Sequence, residues 1–359
     1  MTQKQTVGTR TNRRSTALLT ALMLFLLPAS LLTAAEPDGV VTLKLHHMQS
    51  AAAPAHRFML TEWADKIEAD SGGRMRIRIF PAMQLGGQSA AILDQVRDGI
   101  TDIGWTLPGY SPGRFPRIEV FELPFVMSSI EVMNRAMLEF LANHPEEFAD
   151  VRILQVFAHA GQVVHSKTPI RTADDFVGKK IRVPSRVSSW IVEALGAIPL
   201  GTPVAQVAEM LSKGIIDATL IPYEGSYGMK IHELVDYHST LEMENTDRFQ
   251  TQIFVIAMNK DVYAALPPEL QTVIDDNSGI KTSAWFAEKW QEFEIPGAKA
   301  AAETGEVILI PAAEVAKIRA AVEQPVIARW QQMVARKEID GAALLEEARF
   351  LLNKYEQQE

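Results

Sequence analysis

Apolar and polar residues alternate along most of this chain, first with the period of a strand and then with that of a helix, a pattern that predicts an α/β protein. Val41, Leu43 and Leu45 alternate with polar neighbours and predict a first strand. A helix is predicted over 54–69, with Leu60, Trp63 and Ile67 on one face and Gly72-Gly73 behind it. Residues 74–80 alternate strictly, so their three arginines read as the solvated face of a half-buried strand and not as a phosphate site. Further along, the pattern predicts a helix over 89–97 ending at Gly99, a strand over 103–105, a long amphipathic helix over 128–148 and a strand over 151–159. Thr172 with Asp175 three residues on predicts a capped single turn, which makes Asp174-Asp175 a helix start and not a catalytic pair. From Pro267 the chain reads as largely helical, interrupted at Gly297 and by a strand near Gly305.

The densest information lies in Gly178-Lys-Lys-Ile-Arg-Val-Pro184. Ile181 and Val183 point to the face opposite Arg182, so a strand that buries its aliphatics presents a guanidinium where it ends at proline. A helix over 188–196 follows, then Thr202-Pro203 as N-cap and first helical residue, a second helix stopping at Lys213-Gly214, and an apolar strand running into Pro222. Strand, helix and strand in one segment imply a parallel sheet, whose ligands bind beyond the carboxyl ends of the strands. Arg182 falls there, and so do Tyr223 and Glu224. Arginine offers a planar fork of donors that meets a carboxylate in two hydrogen bonds. Two readings of Arg182 stand side by side, an anion clamp and a structural ion pair with a nearby acid.

Composition narrows the class. The 359 residues suggest two domains, and the absence of cysteine excludes disulfides, a lipidated cysteine and thiolate metal sites. Lys4, Arg10, Arg13 and Arg14 precede an apolar run from Ala17 to Leu32, and Thr33-Ala34-Ala35 supplies small residues before Glu36. Residues 1–35 therefore read as an export signal, for the general secretory route more than the twin-arginine one, and not as a membrane anchor. Without those four basic residues the chain carries 31 basic against 44 acidic side chains, a net charge of −13. Such a chain is unsuited to nucleic acid or to an anionic membrane face, and no stable membrane insertion is expected. It must hold an anion through a local cation.

The run from Gly178 to Glu224 resembles the core of the solute-binding proteins of TRAP transporters, tripartite ATP-independent importers of organic acids. Gln84-Leu-Gly-Gly87, the Gly99 to Ile103 turn and Glu122-Leu-Pro-Phe125 match the same family in order, and the likeness extends from about Val40 to the C-terminus. The resemblance implies a two-domain fold of the periplasmic-binding-protein kind, with a ligand cleft between lobes joined by hinge strands and a long helix. It puts 40–159 and 247–286 in lobe I and 160–246 and 287–359 in lobe II. It also implies an arginine at position 182 that holds the substrate carboxylate, a periplasmic location, and delivery of the ligand to two-subunit membrane permease partners. Two departures stand out: Gln162 takes the place of a second arginine found in members resembling sialic-acid binders, and Ile221 that of an asparagine.

Other candidates follow from position. Tyr223 and Glu224 offer a phenol and a carboxylate at a strand end, although Glu224 could equally cap the next segment or pair with Arg186. Trp105 ends its strand either at the rim or in the core. His47 and His165 could donate to a ligand or be satisfied within the fold. Gln88 beside the glycine loop, Ser185 after Pro184 and Phe249 near the second crossing complete the set, and with Trp190 the aromatics hint at a ring-bearing ligand. The histidines have no metal-binding spacing, and no nucleophile elbow, dinucleotide loop or phosphate loop is present, so neither a metal nor a cofactor is expected. The expected function is capture of a small organic acid. The alternative is a secreted hydrolase or lyase acting on an acidic substrate.

Overall fold

A computed structural model describes residues 39–243 and 246–358; the segment expected to be an export signal lies outside them. The strands are β1 (Val41–His47), β2 (Met75–Phe80), β3 (Ile103–Thr106), β4 (Arg152–Ala158), β5 (Val163–Ser166), β6 (Lys180–Val183), β7 (Ile198–Gly201), β8 (Ala218–Ile221), β9 (Tyr237–Leu241), β10 (Ile253–Met258) and β11 (Glu306–Ile310). They form two sheets, one ordered β2-β1-β3-β10-β4 and the other β11-β9-β5-β8-β6-β7. In the first, β1 runs parallel to β2 and β3, whereas β10 runs antiparallel to β3 and β4. In the second, β6 is parallel to β7 and β8, and β5 is antiparallel to β8 and β9. The antiparallel strands are the ones next to the passages of the chain between sheets, from β4 into β5 and from β9 back into β10. Every residue of β10 is buried, in keeping with its continuous apolar sequence in the middle of a covered sheet.

The helices are α1 (Thr61–Asp70), α2 (Ile92–Arg97), α3 (Ile130–Asn143), α4 (Arg186–Ala194), α5 (Val207–Ser212), α6 (Tyr223–Gly228), α7 (Lys260–Ala265), α8 (Pro268–Asp276), α9 (Ser283–Thr304), α10 (Ala312–Ala335) and α11 (Gly341–Glu356). Helix α9 joins the two layers. Its Phe286, Trp290 and Phe293 pack into the core of the first sheet, and its Ala301 packs with Val163 and Tyr223 on the second. Among the described residues no helix is long and apolar enough to cross a membrane.

Several local expectations need correction. The first helix opens as a π-helical turn, Ala55–Leu60, before α1. The helix expected over 128–148 is shorter, because the Ser129 hydroxyl accepts the Val132 N–H and caps it late, and His144-Pro145 ends it early. Thr202 caps no helix; the segment before it forms β7, and a 3₁₀ turn, Val204–Gln206, precedes α5. Gly297 does not interrupt α9 but lies inside it, where the helix crosses α6. The box between Thr172 and Asp175 forms as expected. So does the solvated face of β2, where Arg74 pairs with Glu269 and Arg76 with Glu68.

Candidate ligand-binding site

A narrow cavity of about 40 Å³ lies between the two sheets and opens into a recess of about 310 Å³, the two sharing Met48, Gln49, Val204, Glu224, Gly225 and Met229. Strand ends surround it, as expected for ligand sites of parallel sheets. The first sheet supplies Gln49 after β1, His159 after β4 and Phe254 on β10; the second supplies Arg182 on β6 and Ile221 on β8; Trp290 comes from α9.

Arg182 is 1% exposed. Its Nε donates to the Thr202 carbonyl at 2.9 Å and its Nη1 to the Leu220 carbonyl at 3.2 Å, while Nη2 is buried without a partner. Burial lowers its basicity, and the neighbouring Tyr110 hydroxyl partly offsets this. Among the described residues no acidic side chain pairs with it, which removes the ion-pair reading. Two backbone carbonyls hold the guanidinium where it lines the cavity. That arrangement suits a carboxylate arriving from outside the protein.

Of the other residues expected at the site, Gln162 and Glu224 line the same cavity. The Gln162 Oε1 atom is buried and unpartnered. Glu224 does not pair with Arg186, which is bonded to Glu119. The Ala55 N–H near the Glu224 carboxyl partly offsets the effect of burial on it. Gln88 and Ser185 line a neighbouring recess of about 200 Å³, separated from the cavity by Tyr110 and Pro184. Ser185 is there as the cap of α4.

The remaining expected residues stand behind the wall. Trp105 is fully buried because β3 lies between β1 and β10; its ring packs 5.3 Å from Phe254, which does face the cavity. His47 bonds His56 at 2.9 Å and accepts the Gln49 N–H, so it is satisfied within the fold; His165 bonds His238 through Nδ1 at 2.7 Å, and its buried Nε2 has no hydrogen-bond partner among the described residues. Tyr223 turns away from the ligand side, its ring stacked under Arg248 at 5.1 Å. Phe249 is part of the larger core, and Trp190 packs against Arg186 and Arg329. Sequence reasoning passed over Tyr110, Gln252, Phe254 and Trp290, which line the cavity from distant segments. Tyr110 alone carried a local signal, following Pro108-Gly109 just past β3.

Buried titratable groups give the fold a distinct pH response. Burial pushes Glu122 and Glu224 up to about 8 and Glu294 to about 7. Burial likewise pushes His47 and His159 down to about 3 and His238 to about 4. Below 4.5 the carboxyls are protonated in folded and unfolded chains alike; above it only the unfolded chain gains by ionising, so stability is lost as pH rises toward 7–8. Above 6.5 the histidines are neutral in both states; below it only the unfolded chain gains by protonating, so stability is lost as pH falls. Thermal unfolding across pH 3–9 is expected to show maximum Tm between 4.5 and 6.5, with a fall of at least ~5 °C by pH 9. A Tm still rising at pH 8 would contradict this.

Comparison with known proteins agrees with the geometry. The sequence model of "bacterial extracellular solute-binding protein, family 7" matches residues 45–336. A TRAP solute-binding protein from Rhodoferax ferrireducens T118, solved with copurified benzoate, is 40% identical, with 89% of this chain and 99% of that one covered at a TM-score of 0.86. A marine metagenome TRAP solute-binding protein specific for aromatic acid ligands, solved with metahydroxyphenylacetate, is 37% identical, with 88% and 99% covered at a TM-score of 0.85. The C4-dicarboxylate-binding periplasmic protein DctP of Rhodobacter capsulatus is 22% identical over 246 residues, which is 67% of this chain and 71% of that protein. Proteins of this family are receptors and not enzymes, which sets aside the hydrolase or lyase alternative. The two sheets around one cleft, the buried strand-end arginine and the match over most of the sequence agree: this chain belongs to extracellular solute-binding protein family 7, the organic-acid receptors of TRAP transporters.

Proposed function

We propose that this receptor captures an aromatic carboxylate, with Arg182 holding the acid and the ring lodged among Phe254, Trp290 and Leu107. The observation that carries this reading is the buried Nη2 of Arg182, which has no hydrogen-bond partner among the described residues, on a side chain that lines a cavity with aromatic walls. Benzoate and metahydroxyphenylacetate, bound by the two similar structures, fit the same description. Residues 40–159 with 247–286, and 160–246 with 287–359, act as two lobes whose closure over the ligand shifts an existing equilibrium. The closed form then delivers the acid to a two-subunit membrane permease.

Calorimetry with benzoate and benzamide tests the acid requirement. Benzamide is expected to bind more than ~100-fold more weakly, because it leaves a buried guanidinium uncompensated. Equal affinity for acid and amide would remove the clamp. Hexanoate, a linear acid, is expected to bind more weakly than benzoate in the same experiment. Export implies cleavage near Glu36, so mass spectrometry of periplasmic protein should find a start there; a persistent form that begins at Met1 would contradict the export reading.

A further inference from the structure

The charges around the cavity are unevenly set. Arg182 is the one arginine or lysine that lines it among the described residues, and His159, also lining it, is kept neutral by burial, its pKa pushed down to about 3. The other polar groups on its wall include Gln49, Gln162 and Gln252, each with a buried Oε1 that has no partner. Glu224 brings the acid. It is 1% exposed, lines both the cavity and the recess, and stands on α6 directly above Glu294. Glu294 accepts the N–H groups of Tyr223 and Glu224 at 3.3 and 2.8 Å, which fixes the start of α6 and places a second carboxyl behind the first. Arg248, 4.0 Å from Glu294 and bonded to Asp247, serves that rear carboxyl and does not line the cavity.

We infer that Glu224 is a specificity-determining residue that restricts this site to monoanions, admitting an aromatic acid with one carboxylate and turning away dicarboxylates. The inference rests on the reading of the Arg182 cavity as the acid site. One ligand carboxylate satisfies Arg182. A second one in the same cavity meets Glu224 and amide oxygens with no cation to receive it, and like charges brought together in a desolvated site repel strongly. Burial raises the Glu224 carboxyl to about 8, so the repulsion is fullest above that pH, where Glu224 is an anion.

Calorimetry on the full mature chain at pH 9, above the value of about 8 to which burial raises Glu224, separates charge from size with three ligands: benzoate, benzene-1,3-dicarboxylate, and the monomethyl ester of that diacid. The ester has at least the bulk of the diacid but carries one charge. The ester is expected to bind at least ~100-fold more tightly than the diacid, and Glu224→Gln is expected to narrow that ratio to within ~10-fold. Equal binding of ester and diacid by the parent protein would overturn the inference. So would rejection of both with benzoate still bound, because size would then set the limit. A ratio unchanged in a folded Glu224→Gln variant would move the exclusion to another residue. If that variant does not fold, the comparison of ester and diacid on the parent protein still decides whether charge sets the limit. Failure of benzoate and ester alike to bind would overturn the acid site itself, and the inference with it.

Discussion

Arg182→Ala is expected to lower affinity for benzoate by between ~100-fold and a few thousandfold while leaving the protein folded. The estimate follows from the ~3–5 kcal/mol lost when one partner of a buried charge pair is removed, at about 1.4 kcal/mol per tenfold. Folding is expected to survive because the side chain gives up two hydrogen bonds to backbone carbonyls, of Thr202 and Leu220, and its contact with the Tyr110 hydroxyl, and among the described residues no ion pair. Arg182→Lys is the sharper case. An ammonium keeps the charge but cannot serve both carbonyls and still present a fork to the ligand, and β6, paired on both sides by β7 and β8, cannot shift to compensate. Most of the affinity is therefore expected to go in this variant too. Calorimetry with circular dichroism as the folding control decides both. Parent-like binding by Arg182→Ala would make the arginine structural and move the acid site toward Gln162 or Glu224.

Gly297→Ala is expected to destabilise the protein by ~3 kcal/mol or more and to weaken ligand binding with it. A Cβ at this position would stand 2.5 Å from the Tyr223 carbonyl carbon and closer still to its oxygen. The obstacle is backbone at the start of α6, with no flexible side-chain end to give way, so the two helices must separate. Separation would pull α6 from Glu294, which holds its first two N–H groups, and carry Glu224 away from the cavity. Denaturant unfolding and calorimetry on one preparation test both effects. An alanine variant with parental stability would show that α9 and α6 can part without cost.

The Gly297 contact also shows where sequence reading reached its limit. In one dimension a glycine within a helical pattern looks like an interruption, because the tight approach that requires it involves a segment some seventy residues away. The βαβ unit around Arg182 was legible because all of its signals are local: alternation in β6, glycines at helix ends and prolines at strand exits. Arg182 and Glu224 were found by the same strand-end logic and Gln162 through the family resemblance, and the structure places all three on one cavity. Trp105 obeys that logic in position but not in direction, and Tyr223 opens α6, beyond the reach of strand alternation. One strand residue in two faces each side, and only packing tells which side a neighbouring helix covers. Trp290 and Phe254 had no local signal at all, since a cavity wall assembled from α9 and β10 exists only after the chain has folded.

The two carbonyls that aim Arg182 have a consequence for the resting molecule. They orient the guanidinium without neutralising it, so bringing the lobes together with no acid between them buries an uncompensated cation. At a cost of ~3 kcal/mol that form would be held below about 1% of the population. The outline of the closed molecule then becomes a message about its contents. A membrane partner that recognised only the closed outline would waste few encounters on receptors without cargo, and it could do so without ever touching the acid.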